Sequence, residues 1–139
     1  MPYAGDLTPR DAYDLLREDA TAVLVDVRTE AEHRFVGVPD LSSLGREPVL
    51  VSWLPVPGEE PGRTFLQQLA AAGVPADHEG PVVFLCRSGV RSVAAAEAAT
   101  AAGFGRALNV LDGFEGPLDE HGHRGGAGWR ADGLPWRQS

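Results

Sequence analysis

The chain has one cysteine, Cys86, and no lysine. A lone thiol cannot close an internal disulfide, which excludes a disulfide-stapled secreted scaffold and points to a reducing, cytoplasmic setting. All fixed positive charge rests on arginine, and these 12 residues face 20 Asp and Glu, for a net charge of -8. That balance argues against a nucleic-acid partner, because no stretch gathers enough arginine to oppose the overall sign. No run of about 18 apolar residues is present to span a membrane. The N-terminal "MPYAGDLTPRDAYDL" lacks the apolar core after basic residues that marks an export signal. Internal repeats are absent.

What is present is ordinary for a folded chain: 43% hydrophobic and 23% charged residues over 139 positions. That length suits one domain whose core needs neither disulfide nor metal. Thr8 and Pro9 form an N-cap and first-turn pair, so "TPRDAYDLLRED" reads as a helix with Ala12, Leu15 and Leu16 on one face. "TAVLVDV" is a short apolar run and reads as a buried strand. Thr29 and Glu32 have capping-box spacing, which predicts a short helix over "TEAEHRF". "PVLVSWL" reads as a strand, followed by a loop rich in Pro and Gly from Pro55 to Gly62. "RTFLQQLAAAG" is helical and stopped by Gly73, "PVVFL" is a third strand, and "SGVRSVAAAEAATAAG" is a long helix stopped by Gly103. "RALNVL" is the last strand. Strands alternating with helices, apolar throughout, predict an α/β sandwich on a mostly parallel sheet. Residues 115–128 read as an irregular loop before a C-terminal segment wrapped on the same domain.

Cys86 stands where the "PVVFL" strand stops and a helix is about to begin. A cysteine is often only a small apolar filler. Here it lies at the carboxyl end of a parallel strand, where open α/β sheets bind ligands. Arg87, Ser88, Gly89, Val90, Arg91 and Ser92 then make a tight turn into a helix N-terminus. Such a turn aims amide hydrogens and the positive end of the helix dipole at one point, favouring a reachable thiolate. Arg87 and Arg91 add positive charge, and Gly89 supplies either a special conformation or a close approach. These features together favour a nucleophile over a filler.

"CRSGVRS" resembles the active-site loop of rhodanese-type sulfurtransferases. "LVDVRTEAE" and "GWRADGLPW" are similar to two further elements of that family, in the same order along the chain. The resemblance implies a three-layer sandwich around a five-stranded, mostly parallel sheet flanked by helices. It further implies that Cys86 takes a sulfane sulfur from a small anionic donor such as thiosulfate. The resulting persulfide then passes that sulfur to cyanide, a thiol or an acceptor protein, without a cofactor. The loop amides would hold the charge on the outer sulfur, and Arg87 would attract the donor. Arg91 would contact the donor, brace the loop or form a structural salt bridge. The family's sheet order sets the "VDVR" strand beside the cysteine strand, bringing Asp26 and Arg28 to the same rim. Asp26 would then brace the loop through its amides or through an arginine. Arg28 would line the mouth or pair with Glu32, four residues on.

The chain departs from the family at "HRFVGVPDL", at Gly113-Phe114 where the family has two glycines, and in the extra "EGPLDEHGHRGGA". These departures leave the donor and acceptor open. A phosphatase or arsenate reductase of the same fold would need five residues between Cys and Arg, and Cys86 and Arg91 enclose four. A non-catalytic binding, sulfur-carrier or sensor module is the other alternative. His121 and His123 lack a third ligand in sequence, so no metal is expected and they read as loop residues. Trp129 and Trp136 read as anchors of the tail. Ser88 and Ser92 read as capping and loop hydroxyls, since no histidine stands by to activate them.

Overall fold

A computed structural model describes residues 2–138. In chain order the elements are β1 (Gly5–Leu7), α1 (Pro9–Glu18), β2 (Val23–Asp26), α2 (Glu30–Phe35), β3 (Val38–Pro39) and β4 (Val49–Leu50). They continue with α3 (Arg63–Ala71), β5 (Val82–Leu85), α4 (Val90–Ala101), β6 (Ala107–Val110) and β7 (Trp136–Arg137). Five strands form a parallel sheet in the order β1-β6-β5-β2-β4, and β3 pairs antiparallel with β7 in a separate two-stranded ribbon.

The helices begin where side chains can cap them. Thr8 Oγ1 accepts from the Asp11 amide at 3.1 Å, with Pro9 opening the first turn of α1. Thr29 and Glu32 exchange both bonds of a capping box at α2. Successive side chains of a strand alternate between faces, so β5 feeds two cores. Val82, Phe84 and the adjoining Cys86 pack with Phe65, Leu69, Ala95 and Ala99 of α3 and α4. Val83 and Leu85 pack on the opposite face with Leu16 of α1, Phe114 and Trp129. Ala95, Ala96 and Ala99 are fully buried, which lets α4 lie close on the sheet. Burying each Leu or Phe contributes about 1.5–3 kcal/mol, so both faces hold the sheet in place.

The architecture is the expected sandwich, with two differences. The fifth strand is β1, in a stretch whose sequence carries no apolar run. It forms because β6 offers a free edge, pairing Asp6 with Asn109 and Leu7 with Val110. The strand read over "PVLVSWL" is limited to Val49–Leu50. Beyond it the chain keeps only separate bonds to β2 and its extension, from the Val51 amide to Asp26 O and from the Trp53 amide to Val27 O. No helix among the described residues is long and apolar enough to cross a membrane.

Candidate active site

Strand alternation decides where Cys86 points. It follows β5 on the face shared with Val82 and Phe84, so its side chain comes to lie beneath the start of α4. The Gly89 amide donates to Cys86 Sγ at 3.1 Å, and Ser92 Oγ lies 3.2 Å from the same sulfur. Gly89 is the N-cap of α4 with φ of 108°. A Cβ there would meet nothing nearer than 3.8 Å. Of the two reasons considered for this glycine, conformation is therefore the one that applies. Among the described residues, the amides of Arg87, Ser88, Val90 and Arg91 make no hydrogen bond to other protein groups, leaving four free donors in the loop that follows the cysteine.

The loop is held from behind by the chain after β6. The Phe114 amide donates to Cys86 O at 2.8 Å, and the Glu115 and Gly116 amides donate to Arg87 O at 3.0 and 3.2 Å. Gly113 makes this approach possible: a Cβ there would stand 2.3 Å from Cys86 O. A second layer supports the first. Trp129, fully buried, donates its amide to Gly113 O at 2.8 Å and its indole Nε1 to Pro135 O at 2.7 Å. Trp136 is 41% exposed and meets the Phe114 ring edge-on.

The family described as STR4 middle domain matches residues 5–139. The chain belongs to that family. Its rhodanese-like character also shows in the relatives. It is 32% identical to the chloroplastic rhodanese-like domain-containing protein 4 of Arabidopsis thaliana, over 95% of this chain and 25% of that longer protein. The crystal structure of Rv0390 from M. tuberculosis is 60% identical and superposes with a TM-score of 0.86 over 99% of both chains. The polysulfide-sulfur transferase homodimer from Wolinella succinogenes is 28% identical, with a TM-score of 0.66 over 99% of this chain and 80% of that one.

Several side chains of this rhodanese-like protein stand differently from their sequence expectation. Cys86 is only 1% exposed, not open to solvent: it packs in the core on the α4 side, with the Gly89 amide and the Ser92 hydroxyl against its sulfur. Arg28 neither lines a mouth nor pairs with Glu32. It precedes α2 and turns inward, fully buried, donating Nε and Nη2 to the Asp26 carboxylate at 2.9 and 2.6 Å and Nη2 to Gly37 O. Its guanidinium lies 4.2 Å from the centre of the Phe114 ring. Asp26 therefore does bind an arginine, but one of its own segment and not of the cysteine loop. His33 Nε2 comes within 3.2 Å of Asp26 Oδ1. Burial pushes Asp26 up, but the nearby His33 and the hydrogen bonds from Arg28 outweigh it and hold the carboxyl below its ordinary range. The pair reaches the active loop indirectly, through the Phe114 ring.

Glu32 belongs to Arg91 instead. The guanidinium donates to both carboxylate oxygens at 2.6 and 2.9 Å, tying the start of α4 to α2. Of the three roles open to Arg91, the salt bridge is the one occupied. Arg87 is exposed and, among the described residues, takes part in no ion pair. Residues 115–128 start against the Arg87 carbonyl and then fold on themselves, Gly125 N donating to Glu115 O and Arg124 to Gly116 O. His121 and His123 are exposed and rest their amides on Asp119.

Burial raises the Glu32 carboxyl, but the Arg91 hydrogen bond and the Thr29 amide lower it further, to about 2. A carboxyl depressed in the folded state contributes stability above its unfolded value, and that contribution is lost as pH falls toward 2. Acid unfolding followed by circular dichroism should therefore begin at higher pH in Glu32→Gln. An unchanged acid midpoint would mean that the pair contributes nothing to folding.

Proposed function

We propose that this rhodanese-like chain is a sulfurtransferase that works through a Cys86 persulfide. The observation that carries the reading is the placement of Cys86: a sulfur at the carboxyl end of β5, bonded by one loop amide and followed by a loop in which four more amides have no partner among the described residues. In the first half-reaction the thiol gives its proton to solvent and the thiolate attacks the outer sulfur of a donor such as thiosulfate. The donor's S–S bond breaks and its electron pair leaves with sulfite. In the second, cyanide, a thiol or an acceptor protein attacks the outer sulfur and Cys86 departs as thiolate. The free amides offer the outer sulfur's charge what an oxyanion hole offers oxygen. Arg87, exposed and in no ion pair among the described residues, is placed to draw in an anionic donor. Cys86 is 1% exposed, so the site must open before a donor reaches the sulfur. Likeness to a polysulfide-sulfur transferase supports the reaction class.

A phosphatase of this fold fits the site less well. Four residues separate Cys86 from Arg91, and both terminal nitrogens of Arg91 are held by Glu32, not turned into the loop. Intact-mass measurement tests the reading: thiosulfate should add one sulfur atom per chain and cyanide should remove it. No mass gain would leave a binding or sensor module, and aryl phosphate hydrolysis without sulfur uptake would leave a phosphatase.

A further inference from the structure

The sulfur of Cys86 is the end of a line of side chains that the sulfur-transfer reading does not use. Ser92 Oγ, 3.2 Å from Sγ, donates to Asn109 Oδ1 at 2.6 Å. Asn109 Nδ2 donates to Asp6 Oδ1 at 3.0 Å, and the Tyr3 hydroxyl donates to the same oxygen at 2.8 Å. The parallel register sets Asp6 directly opposite Asn109, so the line crosses from α4 over β6 to the edge strand β1. Ser92 and Asn109 are buried, at 0% and 2% exposure, while Asp6 lies at the surface.

Each bond in this line has a fixed direction. A carboxylate only accepts, so Asp6 requires the NH2 side of the Asn109 amide. The amide's other end, Oδ1, is also only an acceptor, and it takes the single hydroxyl hydrogen of Ser92. The Ser92 oxygen is left to present lone pairs to Cys86. Lone pairs welcome an S–H hydrogen and repel a thiolate. Turning the Ser92 hydrogen toward sulfur would strand Asn109 Oδ1, a buried acceptor, without a partner. The charged groups on the surrounding elements do not reverse this. Arg91 of α4 is matched by Glu32 of α2, and Asp26 of β2 is matched by Arg28. Arg87 is exposed.

We propose that Asn109, oriented by Asp6, is a positioning residue that aims the Ser92 oxygen at Cys86 and so holds the resting cysteine as a thiol. The relay works against the loop amide of Gly89, which favours the anion, and reactivity is set by the balance of the two. This rests on Cys86 being the reacting group, whatever it reacts with.

The test reads the thiolate's ultraviolet absorbance across pH, and the rate of alkylation by iodoacetamide at neutral pH, in the full chain. Asn109→Leu frees the Ser92 hydrogen for sulfur and should raise both the thiolate fraction and the alkylation rate about tenfold, the weight of one hydrogen bond to a charged atom. Asp6→Ala lets the Asn109 amide turn over and should give a smaller rise in the same direction. Ser92→Ala removes the link, so adding Asn109→Leu to it should change nothing further. The proposal is overturned if Asn109→Leu and Asp6→Ala both titrate like the unaltered chain. It is equally overturned if Asn109→Leu acts as strongly without Ser92 as with it. Should Asn109→Leu fail to fold, the surface variant Asp6→Ala decides alone. None of these readings requires thiosulfate, so a chain that never takes up sulfur can still display the coupling.

Discussion

Cys86→Ser folds and melts close to the unaltered chain, yet gains no mass from thiosulfate: that is the first expected result. The substituted hydroxyl finds the same partners, since the Gly89 amide can still donate to it and Ser92 Oγ can still accept. With its hydrogen bonds kept, the exchange of sulfur for oxygen should cost about 1 kcal/mol, a shift of roughly 4 °C or less in melting temperature. Sulfur uptake, by contrast, should vanish. An alcohol is not ionised near neutrality, and the chain holds no second cysteine to take over. Intact mass and a thermal melt on the same sample check both halves. Uptake retained in this variant would reject Cys86 as the sulfur carrier.

Gly113→Ala should damage the site from behind. The backbone there has φ of 61°, and a Cβ would come within 2.3 Å of Cys86 O and 2.6 Å of the Arg87 carbonyl carbon and oxygen. All three atoms are main chain of the cysteine loop, so no side chain can swing aside to make room. The left-handed conformation costs about 1–2 kcal/mol and the overpacking about 1–3 more. Together these lower the melting temperature by roughly 10 °C. The loop must also shift, breaking the bonds from Phe114, Glu115 and Gly116, so sulfur uptake and alkylation should both change. A variant that melts and reacts normally would show that residues 113–116 do not set the loop's position.

Much of this arrangement was legible in the sequence, and the exceptions have physical causes. The capping box at Thr29 and Glu32, the strands around Val25 and Phe84 and the Ala-rich α4 depend on local chemistry, and local chemistry is what a sequence displays. Strand β1 was invisible because Gly-Asp-Leu has no preference of its own and takes its form from the edge of β6. The spacing of Arg28 and Glu32 suggested a helical pair, but Arg28 lies before the N-cap and so is not on the helix. Glu32 is paired by Arg91, a residue 59 positions away, a contact that only the tertiary fold brings about. Asn109 read as one more residue of a buried strand. Its polarity in an otherwise apolar "ALNV" was the available signal, and the partner that explains it lies 103 positions back.

The support behind the cysteine loop also has a direction in time. Residue 86 leaves the ribosome well before Gly113 and Trp129, so a nascent chain carries its sulfhydryl with nothing yet seated behind the turn that bears it. A chain truncated ahead of Trp129 would remain at that stage, without the bonds from Trp129 to Gly113 and Pro135 that back the turn.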